Sequence, residues 1–147
     1  MSTDQRLIDR LTTYWNMIRK DAPIPEFVQF NISAIEDVWA QCVLFTVQPT
    51  AEGKQPNVNF YTVGDKVRPL YGDIAGKSVS TAQRNFQGAA IIRKMGDVIT
   101  SPQPLYDSGQ FVNERSKVVK YRTCLLPFGN REGKITHVVA GLSWREF

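Results

Sequence analysis

At 147 residues with a formal net charge of +4, the chain has the length of one domain and can bury a core of its own. Its 42% hydrophobic and 22% charged residues are ordinary for a globular protein, and no apolar run approaches the roughly 20 residues that span a bilayer, so disordered, fibrous and membrane-helical classes are excluded. The positive charge would suit an anionic partner, but Lys and Arg are spread along the chain and interleaved with acids, which argues against nucleic acid.

The first segment, Met1 to Arg6, lacks the apolar core of a signal peptide, so the expected compartment is the cytoplasm. From residue 4 to residue 20, Leu7, Leu11, Tyr14, Trp15 and Ile18 recur with a spacing near 3.6, which predicts an amphipathic helix. Asp4 is its expected N-cap, and Pro23 and Pro25 stop it. Its apolar stripe must be covered, either by the domain's own sheet or by a second subunit. Ser33 with Glu36 reads as a capping box that opens a short helix through Trp39.

Val43–Val47 is β-branched and aromatic, a first strand; Gln48–Pro56 is a hairpin loop and Val58–Val63 a second strand. Pro69, Gly72 and Gly76 break residues 65–81 into short helical turns. Residues 82–95, with Phe86, Ala89, Ala90 and Met95 on one side, predict the longest internal helix, stopped by Gly96. Ser101–Pro104 is a turn and Leu105–Val112 a third strand.

The strongest signal lies in Lys117–Trp144. In Val119–Leu126 the even positions begin charged, with Lys120 and Arg122, and end apolar, with Cys124 and Leu126, so one sheet face begins wet and becomes covered. Pro127 is expected to end this strand, and Gly129, Asn130 and Gly133 to make the turn. Ile135–Trp144 is apolar in both registers, the pattern of a strand buried on both faces and hence central. The order of elements gives an α+β fold, one antiparallel sheet with helices packed on it.

Catalytic signals are weak. Gly72 to Ser78 resembles a phosphate loop, but three residues separate its first glycine from the Gly-Lys pair where four are required, so nucleotide hydrolysis is rejected. His137, the single histidine, would need an orienting partner to act as a base, and none is apparent. Cys42 and Cys124 stand in apolar runs as buried hydrophobes, and one His with two distant Cys has no metal-site spacing. Trp39, Tyr61, Phe86, Tyr121 and His137 either line a ligand cavity or fill the core. Arg68 and Arg122 are the candidates for contact with an anionic ligand.

Two strands, short helices, a longer helix and three strands is the order of a PAS domain. Local pieces also resemble a bacterial PAS subfamily: Tyr14-Trp15, Phe60 to Gly64, Tyr71 to Lys77, Pro104 to Tyr106 and Tyr121 to Pro127. The resemblance spans almost the whole chain, with residues 1–40 as an N-terminal helical cap and 41–147 as the PAS core. It implies a five-stranded antiparallel sheet of order 2-1-5-4-3, internal helices on one face and the leading helix on the other. It also implies a non-enzymatic sensory or regulatory module that forms homodimers, holds a small ligand and signals to a protein partner. The cysteine motif of flavin-adduct members is absent and the internal helix has no haem-ligating His, so neither cofactor is expected. The alternatives are a small enzyme with a pocket around His137 and Tyr121, and a ligand-free interaction scaffold.

Overall fold

The computed structural model describes residues 3–48, 56–71, 94–100, 102–112 and 115–147. Helix α1 (Thr3–Arg19) forms where the apolar spacing predicts it, and Leu7, Leu11, Tyr14 and Trp15 are all buried. Asp4 lies inside the first turn rather than at the cap, because the helix already runs from Thr3. The helix ends as Lys20 enters the left-handed region at φ 53°.

Three short 3₁₀ turns follow, at Phe27–Gln29, Ile32–Ile35 and Trp39–Gln41. The capping box expected at Ser33 and Glu36 is not used. Asn31 caps the middle turn two residues earlier, its side-chain oxygen accepting from the Ser33 N–H at 3.0 Å, and Asn serves that role as well as Ser.

Strands β1 (Cys42–Gln48), β2 (Asn57–Val63), β3 (Leu105–Val112), β4 (Val118–Gly129) and β5 (Ile135–Glu146) build one sheet in the order β2-β1-β5-β4-β3. All four pairings are antiparallel. The doubly apolar strand β5 is central, as its sequence requires. Val138, Ala140 and Leu142 enter one core with Val43, Phe45, Phe60, Val67, Leu125 and Val98. Val139 enters the other with Cys42, Leu44, Cys124, Leu126, Phe128 and the stripe of α1. The side under α1 is the outer face, and the side under helix α3 (Met95–Thr100) is the inner face.

Two expectations fail here for physical reasons. Pro127 does not end β4; it pairs with Val138 and the strand continues to Gly129. Beyond Leu125 strand β3 no longer flanks β4. The Pro127 carbonyl points away from β5, to the Trp15 indole, so the missing N–H lies on the side that has no ladder. The segment before the first 3₁₀ turn takes that side instead, with the Gly129 N–H donating to the Pro25 carbonyl at 3.0 Å. Gly96 does not stop a helix either. It lies within α3, where a Cβ would meet nothing within 4 Å.

The closing turn is built by Asn130, whose side-chain oxygen accepts from the N–H groups of Glu132 and Lys134, both at 3.0 Å, with Gly133 at φ 82°. After β2, Gly64 donates to the Cys42 carbonyl at 2.8 Å, and a short helix α2 (Arg68–Tyr71) begins. The predicted loop after Gln48, most of the 65–81 segment, its Gly72–Ser78 motif and the predicted helix up to residue 93 lie outside the described residues.

Candidate functional site

Alternation along each strand, combined with strand register, decides which predicted residues meet. Tyr121 faces inward, beside the Phe111 ring at 6.1 Å and over Gly109, where a Cβ would lie 2.8 Å from the Tyr121 Cζ. His137 faces outward. Its ring stacks on Phe27 at 3.5 Å and 8°, its Nδ1 lies 2.8 Å from the Thr136 hydroxyl, and burial pushes its pKa below the ordinary 6.5. The sheet therefore separates His137 from Tyr121, and a catalytic pocket around the two does not form.

The other candidates also scatter. Trp39 sits on the outer side, 5.8 Å from the Phe30 ring. Tyr61 is 63% exposed on strand β2. Arg68 is exposed, 3.3 Å from the Asp65 carboxylate. Phe86 lies outside the described residues. Of the leading-helix set, Leu7, Leu11, Tyr14 and Trp15 are buried against the chain's own sheet and Ile18 packs at their margin, so the stripe is a cap in cis.

Arg122 does line a groove, one that sequence reasoning did not assemble. Ile8, Asp9 and Thr12 of α1 face Tyr106, Ser108 and Arg122 across about 550 Å³. The Thr12 and Tyr106 hydroxyls bridge it at 3.2 Å. Its trace in the sequence is the switch from Lys120 and Arg122 to Cys124 and Leu126, which marks where α1 stops covering the sheet. A second groove of about 450 Å³ continues past Ser108 and Arg122 to Gln110, Lys120, Arg145 and Phe147. Cations, hydroxyls and an aromatic edge of this kind suit binding of polar or anionic groups.

Two of the hydrogen bonds that hold α1 in place were equally unforeseen. The Trp15 indole N–H donates to the Pro127 carbonyl at 2.7 Å in a buried setting, and the Tyr14 hydroxyl accepts from the Asn31 N–H at 2.8 Å. Cys42 and Cys124 both pair with Gly141, one from each neighbouring strand. Burial pushes both thiols up, Cys124 to about 12, so they remain protonated packing groups. Among the described residues no cluster of three or more His, Cys, Asp or Glu is placed to hold a metal, and no helix is long and apolar enough to cross a membrane.

No family model matches the sequence, and no curated protein matches it. Among solved structures the chain is similar to the PAS domain of BvgS from Bordetella pertussis, with TM-score 0.42 and 12% identity over 74% of this chain and 75% of that one. It is also similar to the PAS-B domain of Cycle from Drosophila melanogaster, with TM-score 0.42 and 16% identity over 69% of this chain and 99% of that one. A third similarity is to the LOV protein of Rhodobacter sphaeroides, with TM-score 0.44 and 14% identity over 80% and 69%. The assignment itself stands on the sheet, whose order is β2-β1-β5-β4-β3 with α1 packed on one face and α3 on the other. That topology is the one the resemblance to PAS domains implies.

Proposed function

We propose that the chain is a small regulatory module of PAS type, which binds a ligand or protein partner and carries out no chemistry on it. The observation that carries this reading is the position of β5. Val138, Ala140 and Leu142 belong to the inner core, while Val139 and Gly141 lie beneath α1. One layer of backbone thus separates the space where a ligand would sit from the helix that would report it. A ligand that prefers one packing of the inner core shifts the population of docked α1 by its differential affinity.

The same reading places the protein in the cytoplasm, where two free buried thiols are at home, and assigns it neither flavin nor haem. A homodimer, in this reading, uses surfaces other than the apolar stripe of α1, since that stripe is already buried in cis.

Native mass spectrometry of the purified chain, followed by hydrogen exchange, tests it. A retained small molecule is expected, and its removal should speed exchange of the α1 amides. An empty chain under every condition, with α1 exchange unchanged, favours a ligand-free scaffold. His137→Gln should leave folding and association intact.

A further inference from the structure

The outer face is covered unevenly. Under α1 it is apolar, but past Cys124 and Gly141 it emerges into solvent carrying Lys120, Arg122 and Arg145, all exposed. Register puts Lys120 directly opposite Arg145, and Arg122 opposite Ser143 and so diagonal to Arg145. Cross-strand partners lie about 5 Å apart at Cβ and diagonal ones about 7 Å. Three cations therefore share one small patch, in an arrangement of like charges that disfavours the sheet.

Nothing on the same face of β3, β4 or β5 offsets them. The side chains there are Tyr106, Ser108, Gln110 and Val112 from β3, Val118 to Phe128 at even positions from β4, and His137 to Arg145 at odd positions from β5, with no acid among them. Asp107 also lines the groove beside Arg122, although its register position, opposite Thr123, alternates with that of Ser108, and Glu146, the one acid of β5, is engaged by Arg115. Asp9 of α1 lines the adjoining groove together with Arg122. The patch is bordered by Phe147, whose ring lies 4.9 Å from the Lys120 ammonium, and by the polar side chains of Ser108 and Gln110.

We propose that this groove of about 450 Å³ is a binding site for a small organic phosphate. The guanidinium forks of Arg122 and Arg145 grip the phosphate oxygens, Lys120 supplies the third charge, and Phe147 offers a wall for the apolar part of the molecule. The volume suits a small molecule, and three cations confined to one end of one face suit a single phosphate group better than a polymer backbone. The site lies on the opposite side of the sheet from the inner core, and it is argued independently of the regulatory reading above.

The test is an NMR titration of the full-length, uniformly 15N-labelled chain with inorganic phosphate and with phenyl phosphate at constant ionic strength. Saturable shifts clustered at Ser108, Lys120, Arg122, Arg145 and Phe147 are expected, with phenyl phosphate binding several-fold tighter than phosphate. Arg122→Gln with Arg145→Gln should weaken binding at least tenfold without lowering the melting temperature, while the control Lys66→Gln with Arg68→Gln should leave it unchanged. Shifts scattered over all basic surfaces, equal losses in both double variants, or tighter binding of a single-stranded RNA oligonucleotide would each overturn the proposal.

Discussion

Gly64, just after β2, and Gly96, within α3, make opposite demands on the chain. A Cβ on Gly64 would fall 2.5 Å from the Trp39 carbonyl oxygen, a backbone atom with no rotamer to retreat to. Gly64→Ala should cost about 1–3 kcal/mol or more, because the segment before β1 must move away from the end of β2. Gly96→Ala meets nothing within 4 Å, so it should be neutral or stabilising by up to about 1 kcal/mol. Urea denaturation of the two variants measures both. His137 makes the second residue-scale prediction. Its folded-state pKa lies below 6.5 because burial beside Phe27 disfavours the imidazolium. The unfolded chain thus binds the proton more readily, so this contribution to stability is complete above pH 6.5 and is lost as the pH falls below it. The difference in stability between the wild type and His137→Gln should be flat above that pH and move against the wild type below it.

At the level of elements, docking of α1 is the contact most open to attack. Each large apolar side chain of its stripe stabilises the seated helix by about 1.5–3 kcal/mol, and the Trp15–Pro127 hydrogen bond fixes its register on the sheet. Trp15→Phe keeps most of the apolar surface but leaves a buried carbonyl without its donor, so a loss of about 1–3 kcal/mol is expected in denaturant titration. That bond also shows what the sequence could and could not tell. The doubly apolar run from Ile135 to Trp144 could belong only in the middle of a sheet, and the charged-to-apolar drift from Lys120 to Leu126 announced a face covered at one end. Both are properties of a single strand and can be read along it. The face shared by two residues on different strands depends on inter-strand register, which no single strand encodes; this is why His137 and Tyr121, grouped by chemistry, lie on opposite faces. Pro127 misled for a related reason. A proline is forbidden only where its nitrogen faces a ladder, and that depends on how far the neighbouring strand β3 extends.

For the whole molecule, β5 lies between two cores whose fully buried side chains are distinct, with the half-buried Ile135 touching both, and the two proposed binding regions fall on opposite sides of the sheet. The inner core would answer to whatever ligand it encloses, while the basic end of the outer face is open to solvent whether or not that core is occupied. A molecule so arranged can receive two signals without either ligand obstructing the other. Coupling between them, if present, must be reciprocal in binding free energy.

Trp15 and Pro127 are 112 residues apart in sequence. A ribosome adding about 5–20 residues per second needs roughly 5–20 s to travel from one to the other. During that time the apolar stripe of α1 has only the early part of its seat, Ile24, Ile35, Cys42 and Leu44, because β4 and β5 have not yet been made. The nascent chain thus carries part of a Leu-Leu-Tyr-Trp surface uncovered while that stretch is made, and α1, which precedes every strand it rests on, can be put away only after β4 and β5.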